Sequence, residues 1–473
     1  MEYKKEIHNY IQSHRNEIVN GLMDLVKIPS ENGNAEKKAP FGRICANILK
    51  AIQGLYEGNG FETEIEEDGG YLLSSYGNGD KSIGLFAHAD VVAGGEDWIY
   101  TTPFEPIEKD GFLIGRGVLD DKSAVIASLY ILKMFKDLKL PLKSKLVCYT
   151  GSNEESGMQD VKNYIAKRTP PDFSLVLDTA FPLYYGNKGV VRCMVTSNVA
   201  LSGLNDFCGG QSTNVTLGKA TAKIPYSESV YKELCAKETD RVKVSIDNGE
   251  IVLSAEGISK HGALPEGSLN AGFLIAEILS GCSFLNESDK KQMSFLAKIL
   301  PDIYGETIGI NEEDTDFGKP TCSNGVVKLE SGKVSFSLDI RFGQSIQLET
   351  LKERLSKELL KKGFSVEFLR NSPVRLTAKT NPFIQTCLQT YRTFTGEENA
   401  QPRINAGGTY AMYLPCSAEI GTTTWRHACP FELPQGHGAV HQPDECICVD
   451  DFLEAIEIAT LMVLACNKVD GKV

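Results

Sequence analysis

The sequence predicts an α/β protein: a mostly parallel sheet covered by helices, interrupted by a long α+β insertion. Three observations lead there. Short apolar runs alternate with helix-patterned segments up to about residue 187. From about 188 to 382 the pattern changes to strands and hairpins mixed with helices. Helix and turn signals then return to the end of the chain. The expected domain limits are therefore 1–187 with 383–473, and 188–382 inserted between them.

The elements follow in order. Residues 5–28 carry helical periodicity through Ile7, Ile11, Ile18, Leu22, Leu25 and Val26. Strands are expected at 71–76 (YLLSSY) and 83–87 (IGLFA). A helix is expected from about Asp121 to Leu138, with Val125, Leu129, Leu132 and Phe135 on its apolar face. Asp120 and Asp121 stand at its start, where carboxylates suit capping and the helix dipole. A β-rich run, KLVCYTG, occupies 145–151. A polar helix spans about 158–168, and SLVLD at 174–178 reads as another buried strand. In the insertion, 242–257 reads as a hairpin turning at Asp247-Asn248-Gly249, and 333–342 as a strand. A helix at 382–394, a Gly-rich turn at 407–408 and a closing helix at 450–466 complete the chain.

Hydrophobic residues make up 42% and charged residues 23% of the 473, an ordinary globular composition with enough apolar material for a sizeable core. The net charge of −13 argues against nucleic acid or an anionic membrane as the main partner. The thirteen cysteines are scattered; only Cys446 and Cys448 lie close, too close for a zinc knuckle. Their odd number favours reduced thiols and a cytoplasmic location. The first thirty residues lack the apolar core of a signal peptide. The apolar run 458–466 is too short to span a bilayer.

The unusual polar residues fall at strand ends. His88 and Asp90 follow the strand at 83–87, Glu154 and Glu155 follow the one at 145–150, and Asp178 ends the one at 174–178. In open parallel sheets such positions share one edge, where ligands bind. Asp120 and Asp121 arrive there from the loop GRGVLDDK. Singly, a His-x-Asp, a Glu-Glu or an Asp-Asp is an ordinary surface pair, solvated face or helix cap. Together, several carboxylates on one edge repel unless cations neutralise them. Two divalent metals would do so, with one carboxylate bridging. Histidine with carboxylates suits zinc, and also manganese or cobalt.

HADVV, Trp98 with Pro103-Phe104, GRGVLDDKSAVIASLYILK, GSNEESG, SLVLD and VHQPDE occur in an order that resembles metallopeptidase family M20, the ArgE/DapE/carboxypeptidase G2-like hydrolases. The long insertion makes the bacterial dipeptidase V branch the nearest match. The resemblance runs from about residue 10 to the end. It implies a zinc-exopeptidase-like catalytic domain with an inserted lid domain. It assigns His88, Asp120, Glu155, Asp178 and His441 as ligands of two divalent ions, with Asp120 bridging. A cis peptide is implied after Asp120. Asp90 is the acid that orients His88, and Glu154 the general base. His437, also in the late loop, is less favoured than His441 because QPDE follows the latter; His8, His14 and His427 are read as surface or structural.

In the insertion, the resemblance places a transition-state-stabilising histidine at His261 in SKHGALPEGSLNA and a clamp for the substrate carboxylate at Arg341 in DIRFG. Unaided, Arg341 reads as a salt-bridged strand residue. Asn214 is a further substrate contact, and Gly407 and Gly408 line the pocket or form only a turn. Ser123 after DDK, Asn153 before the glutamate pair and the NKG at 187–189 depart from the family pattern without removing a ligand or the base.

The implied reaction is amide hydrolysis of a dipeptide or short peptide: two cations activate a bridging water, Glu154 takes its proton, and hydroxide attacks the carbonyl. The alternatives are an N-acyl or N-succinyl amino acid deacylase with the same chemistry and, in a different class, a catalytically inactive peptide-binding protein. The insertion is long enough to supply His261 within one chain, so a monomer is expected.

Overall fold

The structure is a computed structural model that describes residues 2–469. It divides into two compact units, Met1–Gly186 with Leu376–Val473, and Asn187–Arg375.

The first unit is built on a nine-stranded sheet. Its middle four strands, Lys145–Gly151, Ser82–His88, Phe173–Val176 and Ser417–Glu419, run parallel in that spatial order. They are almost continuously buried, as strands covered on both faces must be. Antiparallel strands flank them: Thr63–Glu66 and Tyr71–Tyr76 on one side, Tyr184–Asn187 on the other. The parallel register sets His88 opposite Gly151, Phe86 opposite Val176, and Val176 opposite Glu419. The carboxyl ends of four strands are thus brought to one edge.

Helix Lys122–Asp137 packs on this sheet and is buried along nearly its whole length. The closing helix Val449–Cys466 packs against it. The single helix expected over 5–28 is two, Lys4–Ser13 and Arg15–Val26. At the break, the Ser13 hydroxyl and the His14 ring both turn back to the Tyr10 carbonyl, at 2.8 Å each. Such local side-chain bonds compete with the helical ladder. The strand expected to end on Asp178 ends at Val176, so Asp178 lies just past it.

The second unit holds two antiparallel sheets and four longer helices, an α+β arrangement. One sheet contains Asp206–Cys208, Lys219–Pro225, Glu250–Glu256 and Val242–Asp247. The other is centred on Gly189–Ser197, paired with Lys333–Phe342 and Phe364–Ser372. The hairpin turns through Asn248 and Gly249, both with positive φ (49° and 76°), as a two-residue turn matching strand twist requires.

Candidate metal centre

Strand Ser82–His88 ends by presenting His88, 1% exposed, at the sheet edge. Its Nδ1 lies 2.9 Å from the main-chain oxygen of Asp90 and 3.5 Å from that residue's Oδ1. Its Nε2 faces Asp120 Oδ1 at 3.0 Å and Asp178 Oδ1 at 3.8 Å. From the late loop, His441 brings Nε2 to 3.1 Å from Asp120 Oδ2 and 3.0 Å from Glu155 Oε1. Asp120 therefore stands between two histidines, one to each oxygen. His441 has φ +64°, a left-handed conformation that histidine adopts more readily than most residues. The Asp120–Asp121 peptide is cis.

Donor atoms converge in two overlapping triads, His88–Asp120–Glu155 and His88–Glu154–Asp178, each with its ligand atoms within 4.8 Å of one another. The electrostatics follow from that crowding. Burial, then the charge of Asp178, pushes the Glu154 carboxyl well above its ordinary range. Burial and Asp120 push Glu155 up to about 7. Burial also raises Asp178. Burial alone would raise Asp120 as well, but hydrogen bonds from His441 and His88 outweigh it and hold it below its usual value. His441, bonded to Asp120 and Glu155, is raised to about 10. Four carboxylates and two imidazoles at such spacing share too few positive charges. The donor set is hard oxygen plus imidazole nitrogen, with no thiolate, and it fits zinc, manganese or cobalt.

The turn that carries Glu154 and Glu155 is held by two buried acids. Asp90 Oδ1 accepts from the Glu154 N–H (3.0 Å), and its Oδ2 from the Glu155 N–H and Asn32 Nδ2 (3.1 Å each). Asp160 Oδ2 accepts from the N–H groups of Ser152 (2.7 Å) and Asn153 (2.9 Å), and from the Tyr410 hydroxyl (2.5 Å). Four consecutive amides, 152–155, thus point at two carboxylates. Sequence reasoning missed Asn32, Asp160 and Tyr410. Asp160 looks like an ordinary first-turn acid of its helix, and only its lack of exposure marks it out. Asp121, also buried, accepts from the His88 N–H through Oδ2 at 3.2 Å, while its Oδ1 has no hydrogen-bond partner among the described residues.

His437 is not among the converging donors: its Nδ1 bonds Asp444 at 2.7 Å, and Asp444 also accepts from the Ile99 and Tyr100 amides. In the Gly-rich turn, the Gly407 N–H donates to Asn405 Oδ1 (2.8 Å), and Asn405 Nδ2 donates to Glu419 Oε2 (2.7 Å). A Cβ on Gly408 would stand 2.3 Å from the Met412 sulfur, so a side chain there would require the Met412 thioether to move aside. A separate cluster, His427, Cys448 and Asp451, ties a loop to the closing helix: Asp451 accepts from Thr424 Oγ1, the His427 N–H and the His427 ring.

His261, Asn214 and Arg341 belong to the second unit. There, His261 pairs with Val215 as an isolated bridge, and the Gly262 N–H donates to the Asn214 carbonyl at 2.7 Å, so the first two are neighbours. His261 is exposed. Arg341 is buried and forks onto Asp339, Nε to Oδ1 at 2.5 Å and Nη2 to Oδ2 at 3.0 Å; Arg192 takes the same acid.

Fold and donor set together define a class: an α/β protein that gathers acids and histidines for cations at the carboxyl edge of a parallel sheet. Residues 84–465 match the family described as Peptidase family M20/M25/M40. A Staphylococcus haemolyticus protein provisionally named a dipeptidase is 26% identical over 466 residues, covering 95% of this chain and 96% of its own. Among solved structures, human carnosine dipeptidase 1 superposes with a TM-score of 0.61 at 13% identity, covering 99% of this chain and 100% of its own. The Saccharomyces cerevisiae di-peptidase Dug1p gives 0.59 at 14%, with 99% of each chain covered. The chain belongs to peptidase family M20/M25/M40, and it is a metallohydrolase acting on peptide bonds.

Proposed function

We propose that the protein is a dinuclear dipeptidase. The observation that carries this reading is Asp120, one carboxylate with an oxygen on each of two histidines and a further acid beside each: Asp178 with His88, Glu155 with His441. His88, Asp120 and Asp178 would hold one ion; Asp120, Glu155 and His441 the other. Zinc is the first candidate, with manganese or cobalt as alternatives. Cations bound there would lower the pKa of water and polarise a substrate carbonyl.

The chain's own residues do the rest. Glu154, buried beside His88 and Asp178 and fixed by its backbone, takes the proton of the attacking water and delivers it to the leaving amine. His261 meets the charge that develops on the carbonyl oxygen. Arg341 receives the substrate's terminal carboxylate, with Asn214 as a further contact, all from the same chain, so that a monomer suffices. Gly407 and Gly408 shape the pocket wall. The dipeptide is the substrate class because relatives along the whole length carry that name. We place the enzyme in the cytoplasm.

One experiment tests the reading. Metal-stripped protein is titrated with zinc and with manganese, and hydrolysis of dipeptides is compared with that of N-acyl and N-succinyl amino acids. Two ions per chain and preferential dipeptide turnover are expected. A single ion, or turnover of the acylated amino acids alone, overturns it.

A further inference from the structure

The two sequence segments richest in recognisable residues, GRGVLDDK and VHQPDE, each contain a residue that the chemistry above leaves unused: Arg116 and Glu445. The fold brings them together. Strand Cys446–Cys448 pairs antiparallel with Phe112–Ile114, and the Gly115 N–H continues the ladder onto the Glu445 carbonyl at 2.9 Å. That register sets the Glu445 side chain under the loop leading to Asp120. The side chain is wholly buried, and Arg116 is 2% exposed.

The carboxylate is fully used. Oε2 accepts from Arg116 Nη1 at 2.7 Å. Oε1 accepts from three main-chain N–H groups: Gly117 at 3.0 Å, Leu119 at 2.9 Å and Asp120 at 3.1 Å. Gly117 has φ +92°, which lets the loop curl so that these amides converge on one oxygen. Arg116 is fixed in turn, its main-chain N–H on the Pro103 carbonyl at 2.8 Å, its Nη2 3.4 Å from the Gly94 carbonyl and its guanidinium 5.5 Å from the Trp98 ring centre. An ion pair this deeply buried contributes little net stability against an apolar alternative, because desolvation offsets the attraction. Stability is therefore a weak reason for its presence. Placing a ligand-bearing loop is a better one.

We propose that Glu445 is a positioning residue: it clamps residues 116–120 so that the Asp120 carboxylate already stands between His88 and His441 before any cation arrives. His441 and Glu445 lie on one short loop. A displacement of that loop would therefore move one ligand directly and a second through its backbone. Residues that orient metal ligands commonly carry 10–100-fold in affinity or activity.

The inference rests on the proposed ligand set, and its test separates the two. Glu445→Gln places an amide donor against either Arg116 or the three N–H groups. In the metal-free protein, hydrogen exchange at the amides of Gly117, Leu119 and Asp120 is expected to quicken in this variant while the core strands stay protected. Zinc affinity, measured by chelator competition, is expected to fall roughly 10–100-fold, and kcat to fall with KM nearly unchanged. If Glu445→Gln does not fold, Glu445→Asp, which withdraws the carboxylate by one methylene, is read by the same measurements with the same expectation. Wild-type exchange rates at those amides, together with zinc affinity within about twofold of wild type, would overturn the proposal. Wild-type protein that takes up no pair of ions would instead overturn the ligand set beneath it.

Discussion

Asp90 shows what a residue's identity conceals. The resemblance makes it the acid that orients His88. In the structure the imidazole leans mainly on the Asp90 main-chain oxygen, and the carboxylate is occupied by the amides of Glu154 and Glu155. One residue thus links His88, through its main chain, to the Glu154–Glu155 turn, through its carboxylate. Glu154 is the proposed general base. Glu154→Gln keeps shape and removes proton transfer; kcat is expected to fall about 10²–10⁴-fold. Zinc stoichiometry should stay that of wild type. Steady-state kinetics on the zinc-loaded variant checks this, and retained kcat would remove Glu154 from its role.

At the scale of elements, the turn after strand Lys145–Gly151 matters more than the strand. Its four amides are held by Asp90 and Asp160, and Tyr410 reaches Asp160 from the segment after the Gly-rich turn. Asp160→Asn turns an acceptor into a part-donor there. A loss of roughly 1–3 kcal/mol of stability is expected, as for a buried group left unsatisfied, measured by urea denaturation. kcat should fall about tenfold or more as Glu154 loses its fixed position. Tyr410→Phe, which removes only one of the four donors to Asp160, should do less on both counts. The strands themselves were legible: 71–76, 145–151 and 333–342 coincide with the observed Tyr71–Tyr76, Lys145–Gly151 and Lys333–Phe342. Apolar runs bounded by polar residues specify them locally. The break at His14 was not legible, because periodicity continues across it on both sides.

Across the whole molecule, the clustered charge should make metal-free protein sensitive to alkali. Glu155, ordinarily at 4.5, is raised to about 7, and Asp160 from 3.8 to about 7, by burial first in both cases. The folded state then keeps protons that the unfolded chain has lost, so stability falls as pH rises through that window. His441, raised from 6.5 to about 10 by Asp120 and Glu155, continues the fall above neutrality. Asp120 acts in the opposite sense, but only in the acid range below its ordinary value. Thermal melts of metal-free protein from about pH 5 to about pH 9 should show a declining Tm. Added zinc should stabilise more at higher pH, since cations displace these protons. A Tm that rises across that range without metal would contradict the site's electrostatics.

The sequence by itself determined the α/β class, the inserted α+β segment and the residue types at the strand ends, since periodicity and turn chemistry are local and written in neighbouring residues. It also supplied the acids and histidines from which a cation site could be built. Only the tertiary structure decided which atoms meet: Asp120 between His88 and His441, Asp160 under the Glu154 turn, and Glu445 beneath the Asp120 loop. Several of those contacts join residues hundreds of positions apart, Asp120 with His441 and with Glu445 and Asp160 with Tyr410 among them, and strand register and burial, which no local pattern encodes, bring them together.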